Sequence, residues 1–414
     1  MNILQGLFGL LVLLSIAFLF SENRRAIPVR VVVAGVLLQI AIAALLMKFP
    51  PAVALVMKIT HGVEALQRAT DAGTSLVFGY LGGGPLPYAE TKAGASFILA
   101  FRAFPMVLTI AALASLLFYW GVLQKVVHLF ALALRRTLGV GGPLGIGAAV
   151  HIFVGMVEAP LIVRPYLATM SRGELFALMS CGMAGIAGTV MAIYGAILSG
   201  HIPDALPNII TASIISTPAA LALSAIMIPF TPDPRAGEIK IADPPANAME
   251  AIVRGTMDGV RILASIVALL IVMIALVHLV DAMLSLLPEI GGAPVTLRGL
   301  FAIPFRPLVW AIGIPWNESG AAALLMGTKT SLNDFVAYLD LAALPKDALS
   351  ERSRLIMTYA MCGFANFGSL GIMVGGMTAM APERRHDIVA LVPRSLISGT
   401  LATLSSGAVA GMLI

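Results

Sequence analysis

The chain has 414 residues, of which 59% are hydrophobic and only 11% charged, and its net charge is +5. A soluble domain carries about 25% charged residues and leaves much of its surface in water. So apolar a chain needs lipid as its solvent, which excludes a soluble enzyme. The basic residues lie between apolar segments, where they anchor loops at lipid headgroups rather than bind nucleic acid.

The first 20 residues, MNILQGLFGLLVLLSIAFLF, are long enough to cross a bilayer. They lack the basic start and small-residue cleavage site of a signal peptide, so they read as the first transmembrane helix. A second span is expected over about 26–47. Arg24, Arg25 and Arg30 then face the cytoplasm and the N-terminus lies outside. Residues 52–83 mix apolar positions with Lys58, Glu64, Arg68 and Asp71, as an amphipathic helix at the membrane surface would, before a turn at Gly82-Gly83-Gly84-Pro85-Leu86-Pro87. A third span covers about 97–120, with Arg102 snorkelling to the interface and Lys125, Arg135 and Arg136 inside. Residues 1–137 thus form an N-terminal scaffold of spanning and interfacial helices.

Residues 138–229 are different. LGVGGPLGIGAAVHIFVGMVEAPLIVRPYLA, over 138–168, is apolar but broken by Gly and Pro, with Glu158 in its middle. Each arm is too short to span, as in a re-entrant hairpin, which is tolerated only where protein or a watery cavity surrounds it. Two apolar segments follow, about 173–199 and 207–229. Residues 230–298 hold a polar linker from Thr231 to Asn247, an amphipathic helix and a long span. Over 299–414 the layout recurs: an apolar pair at 299–327 broken at Ile312-Gly313-Ile314-Pro315-Trp316-Asn317, then segments at about 353–379 and 388–413. Paired interrupted segments of this kind mark the central site of a secondary transporter.

Polar groups inside these segments are the candidates for binding. Glu158 is either a structural partner for a cation such as Arg164 or a carboxylate that binds solute or carries a proton; intramembrane acids favour the second. Asp334, after Asn333, is either a helix-cap residue or the counterpart of Glu158 in the second repeat. In Cys362-Gly363-Phe364-Ala365-Asn366-Phe367-Gly368-Ser369-Leu370-Gly371 a span can unwind and offer carbonyls and amides, with Asn366 and Ser369 on one face. The corresponding Ala184-Gly185-Ile186-Ala187-Gly188-Thr189-Val190 is expected to serve close helix packing. His151 lies about two turns before Glu158 and is either a hydrogen-bonded structural group or a proton carrier. Cys181 and Cys362 fit neither a disulfide framework nor a metal site and read as packing residues. No P-loop, nucleophile elbow or H-E-x-x-H motif occurs, so the chain carries no ATP motor and no catalytic constellation.

Three of these segments resemble the concentrative nucleoside transporter family. Gly155-Met156-Val157-Glu158-Ala159-Pro160-Leu161-Ile162-Val163-Arg164-Pro165-Tyr166 is similar to that family's G-Q-[ST]-E-A-P-L-L-x-R-P-Y segment. Gly327-x-Lys329-x-x-x-Asn333-Asp334-Phe335-Val336-Ala337 resembles its G-x-K-x-x-x-N-E-F-V-A signature, and Gly363 to Gly371 its G-F-A-N-F-S-S-[IL]-G segment. The resemblance implies an all-α membrane fold of about eight transmembrane helices with two re-entrant hairpins in an inverted repeat. It also implies a homotrimer in the plasma or inner membrane that imports nucleosides with a coupling ion, by an elevator-like movement of the hairpin-bearing part, and needs no other cofactor. Glu158, Asp334, Asn366 and Ser369 would then hold the ribose hydroxyls, with Phe364 beside them.

Two departures stand out. Met156 and Val157 replace the Gln and Ser/Thr that read the base, which implies broad base tolerance or a different nucleoside-like solute. His151 replaces the Asn of sodium-coupled members, so a sodium site near His151, Val154, Thr189 and Val190 is replaced, on this reading, by proton coupling through His151 or Glu158. An integral-membrane enzyme would instead carry its acids in interfacial loops, and the three motifs argue against an antiporter or channel.

Overall fold

The computed structural model describes residues 2–90, 96–198, 202–231, 245–289 and 294–414; within them the side chain of Thr189 is not described, and the greater part of the expected linker from Thr231 to Asn247 lies outside them. The described residues form helices and no strands. The N-terminal part holds α1 (Asn2–Leu19), α2 (Val29–Lys48), α3 (Pro50–Phe78), the short α4 (Leu99–Arg102), α5 (Met106–Tyr119) and α6 (Val122–Leu138). Pro50 and Pro51 open α3, where a missing N–H does no harm. Helix α6 is absent from the sequence expectation, which placed its charges in a loop. It runs between two left-handed glycines, Gly121 (φ 75) and Gly139 (φ 74), and buries Val127, Leu134 and Leu138.

The first hairpin comprises α7 (Gly142–Val150), a turn at 151–157, and α8 (Glu158–Ile162) with α9 (Arg164–Leu167). The span expected over 173–199 is two helices, α10 (Arg172–Ala184) and α11 (Gly188–Leu198), and α12 (Ala205–Met227) follows. One helix of 37 residues, α13 (Ala248–Leu284), covers both the amphipathic helix and the span expected after the linker. The second half holds α14 (Leu297–Ala311), α15 (Ser319–Ser331), α16 (Asp334–Ala343), α17 (Glu351–Met361), α18 (Phe367–Met380) and α19 (Arg385–Leu413).

The second half divides differently from the sequence expectation. The chain does turn at 312–318, and α14 lies along α15: a Cβ on Gly327 would meet the Arg298 carbonyl oxygen at 2.2 Å. It turns again at Leu332-Asn333, because the Asn333 side chain accepts from the Val336 N–H and starts α16. Thr328 then donates to Asp340 across the new pair, at 3.1 Å. The chain therefore turns twice in this half, at 312–318 and at Leu332-Asn333, and α15 and α16 form a second helical hairpin.

Helices α12 and α19 cross at the centre and are buried over most of their length, whereas few residues of α13 are fully buried. A polar knot pins the crossing to α2. Gln39 donates to Ser406 (3.2 Å) and accepts from Ser405 (2.8 Å), and Ser406 shares a hydrogen bond with Ser216 (2.9 Å). Every polar atom of a buried amide is thereby engaged, as an apolar surround demands. Helix α13 instead packs on α5 through Gly255 and Gly259, where a Cβ would stand 2.6 Å from the Ala111 carbonyl oxygen and 3.0 Å from Leu108 Cα respectively. Such small-residue stripes let two membrane helices approach backbone to backbone.

Among the described residues, five helices are long and apolar enough to cross a membrane: Val29–Lys48, Leu99–Tyr119, Ala205–Met227, Ala248–Leu284 and Pro382–Leu413. The broken pairs α10–α11 and α17–α18 each supply two short helices in line with a long apolar segment of the sequence.

Candidate functional site

Both broken spans unwind at the same place. The helix ends α10 and α17 stop at Ala184 and Met361, and the loose segments cross, where the Phe364 N–H donates to the Gly185 carbonyl at 3.1 Å. Only glycine fits there. A Cβ on Gly363 would lie 2.7 Å from the Ala184 carbonyl oxygen and 2.6 Å from Thr403 Cγ2. The packing role expected of Ala184 to Val190 is thus only part of its structure: the segment is unwound from Gly185 to Ala187.

Around this crossing lies a cavity of about 350 Å³, within the usual range for a small-molecule site. Its polar wall is built from helix starts. Asn366 caps α18 by accepting from the Ser369 N–H at 2.9 Å, Asn333 caps α16, and Glu158 and Asp334 are the first residues of α8 and α16. Backbone N–H groups and the positive ends of α16 and α18 therefore point to the same space that the acids and amides line.

Glu158, Asp334, Asn366, Ser369, Phe364, Met156, Val157 and Val190 all line the cavity. Asp334 is 2% exposed, and the Tyr194 hydroxyl donates to its Oδ2 at 2.6 Å. The Glu158 carboxylate folds over Gly155, where a Cβ would meet Oε2 at 2.3 Å. No ion pair joins it to Arg164 among the described residues. Val157 seats its methyl groups against Gly376 of α18, within 3.0 Å of where a Cβ would be.

His151 and Val154 do not line the cavity. His151 is 2% exposed in the turn of the first hairpin, against Gly182, and its Nε2 has no hydrogen-bond partner. The carbonyls beside it are engaged: Ile152 accepts from Ser213 (3.4 Å) and Phe153 from the Gly188 N–H (3.0 Å).

Sequence reasoning missed Tyr194, because an aromatic in an apolar run reads as core. It also missed Arg261 and Ser265 of α13, which line the cavity from a helix that carried no motif. Lys329 appeared only inside a motif. It is fully buried and donates to the Ala360 carbonyl (3.2 Å) and to Thr403 (3.0 Å), tying α15 to α17 and α19.

Comparison with known proteins agrees with this architecture. Residues 8–81 and 208–411 match models described as the N-terminus and C-terminus of Na+ dependent nucleoside transporters, and residues 100–200 match one described as nucleoside recognition. An uncharacterized transporter of Haemophilus influenzae is 36% identical over all of this chain and 98% of its own length. The nucleoside permease NupC of Helicobacter pylori is 32% identical, covering 99% of this chain and 98% of its own. The solved structure of CNTnw in an inward-facing substrate-bound state superposes with a TM-score of 0.89 at 33% identity, over 100% of this chain and 98% of that one. Motifs, cavity and likeness over the full length agree: the chain belongs to the concentrative nucleoside transporter family, and it is a multi-pass transporter of the plasma or inner membrane rather than an enzyme.

Proposed function

We propose that the chain is a proton-coupled symporter that imports nucleosides, binding them in the cavity between the two hairpin turns. The observation that carries this reading is the convergence of Glu158, Asp334, Asn366 and Ser369 on one cavity. A ribose offers several donors and acceptors in a small volume, and two carboxylates, an amide and a hydroxyl match it. Phe364 supplies an apolar face beside them. Met156 and Val157 form the wall where the base would lie, and neither makes a directional hydrogen bond, so all common nucleosides are accepted. A panel in which one base were strictly required would contradict that.

Proton coupling is favoured by the His151 neighbourhood. A sodium ion takes hard oxygen ligands, as other hard cations do. Here a ring nitrogen stands where sodium-coupled members have an amide, and its Nε2 is buried without a hydrogen-bond partner. Uptake that followed a sodium gradient and ignored a pH gradient would overturn it.

In this reading the two hairpins re-enter the membrane from opposite sides, α10–α11 and α17–α18 each make one crossing, and the total is about eight crossings. The hairpin-bearing body moves past the α5–α13 pair, of which α13 presents mostly aliphatic side chains to the cavity. Three copies associate, each with its own site.

A second reading, a different nucleoside-like solute, is favoured by the apolar Met156 and Val157 alone. Labelled uridine or adenosine in proteoliposomes under an imposed pH gradient separates the two: accumulation supports the nucleoside reading, and its absence supports the other.

A further inference from the structure

If the hairpin does not read the base, the opposite wall of the cavity is the place to look. Seven residues of α13 line it: Arg261, Ile262, Ser265, Ile266, Leu269, Leu270 and Met273, and only Arg261 and Ser265 are polar. They are four apart and share a helix face. Met273 marks the ribose end, since a Cβ on Gly368 would touch both Met273 Cγ (3.8 Å) and Asn366 Oδ1 (3.3 Å). At the helical rise, Ser265 is about 12 Å and Arg261 about 18 Å back along α13 from Met273. A nucleoside whose ribose is held at Asn366 therefore points its base toward Ser265, within reach of the long Arg261 side chain.

Arg261 is free to take part. Its side chain is 79% exposed where it lines the cavity, and its one ion pair among the described residues, Nη1 to Asp258 Oδ1 at 3.2 Å, is an exposed one that holds it weakly and leaves other N–H groups open.

We propose that Arg261, with Ser265, is the base-specificity determinant of this transporter. A guanidinium only donates hydrogen bonds. It therefore favours bases that present a carbonyl at the outer edge, as uracil and hypoxanthine do, over cytosine and adenine, which present an amino group there. The effect is a graded order within broad acceptance, about three- to tenfold, the size of one hydrogen bond made in competition with water.

The inference rests on the nucleoside reading above, and one experiment tests both separately. Labelled uridine uptake into proteoliposomes is competed with unlabelled uridine, inosine, cytidine and adenosine, in the wild type, Arg261→Met and Ser265→Ala. Uridine and inosine are expected to compete about three- to tenfold better than cytidine and adenosine in the wild type. Arg261→Met is expected to bring the four within about twofold of one another, with Ser265→Ala between the two. Robust uptake with a flat wild-type panel, or an unchanged order in Arg261→Met, overturns the assignment of Arg261 and leaves the nucleoside reading standing. No uptake of any nucleoside by the wild type overturns both. Because Arg261 is exposed, loss of fold in Arg261→Met is not expected; if it occurs, the Ser265→Ala panel decides, and an unchanged order there overturns the proposal.

Discussion

Asp334 is a buried carboxylate held by a phenol. Removing the hydroxyl in Tyr194→Phe leaves that carboxylate short of a partner, which costs about 1–3 kcal/mol. Nucleoside uptake, measured as kcat/KM from initial rates, is expected to fall about 5- to 100-fold in this variant, and Asp334→Ala to abolish it. A Tyr194→Phe variant with wild-type rates would show that the bond is incidental to binding. Val157→Thr changes almost no volume but adds a hydroxyl at the cavity wall. It is expected to widen the gap between the best and worst nucleoside by about tenfold in a competition panel, because polar readout discriminates where an apolar wall does not. The acids and amides of this site were legible in the sequence, since Glu158, Asp334, Asn366 and Ser369 each interrupt an apolar run and carry an energetic penalty there unless used. Tyr194 and Arg261 were not. The first looks like core, and the second lies on a helix whose cavity-facing side is set only by packing.

At the scale of elements, the two unwound crossings hold the site together, and glycines make them possible. A Cβ on Gly399 would stand 2.5 Å from Met183 Cβ and 3.0 Å from the Met183 carbonyl carbon, so α19 could not lie against α10. Gly399→Ala is expected to lose about 1–3 kcal/mol, seen as a fall of several degrees in the thermal unfolding midpoint in detergent. Gly371, on α18, has open space around it. Gly371→Ala is expected to be neutral or stabilising by up to about 1 kcal/mol, as in any helix interior. Equal destabilisation by both would mean that close approach is not the reason for the glycines. The break at Cys362 to Asn366 was legible from its glycines and amide. The helix start at Asn333-Asp334 was legible as a cap, and Asn333 does cap α16, whereas the break at Gly185 to Ala187 was not, because that segment is apolar throughout. The long α13 was read as an amphipathic helix plus a span, since composition changes along it while the backbone does not.

At the scale of the whole molecule, α12 and α19 form the buried centre of a body that carries both hairpins, and α5 and α13 pack on each other at its side. On the face of the body that carries the start of α10 and α19, charges are paired. Arg172 bonds Glu22 (3.1 Å) and Asp387 (3.3 Å), Arg394 also bonds Glu22, and Arg384 binds Asp387 (2.9 Å) and the carbonyls of Leu167, Ala168 and Met170 at the end of the first hairpin. On the opposite face Arg354 holds the carbonyls of Leu341, Leu344, Pro345 and Leu349 at the end of the second hairpin. Each hairpin is thus clamped to the body at its own base as well as packed into it at its turn, where Ser213 and the Gly188 N–H bond the first turn and Tyr194 bonds Asp334 beside the second. The proposed trimer predicts a protein mass in the detergent particle, by light scattering, of three times 43.2 kDa; a single chain mass would contradict it.

If the cavity shared by the two hairpin turns binds a nucleoside, the protein concentrates that nucleoside when an ion gradient drives it. Accumulation of labelled uridine in proteoliposomes under an inward proton gradient, with wild type and Asp334→Ala run side by side, tests it most directly. Accumulation above the external concentration is expected of the wild type, with collapse of that accumulation when the gradient is dissipated, and none of Asp334→Ala. Equal accumulation by wild type and Asp334→Ala, or none by either, would contradict it.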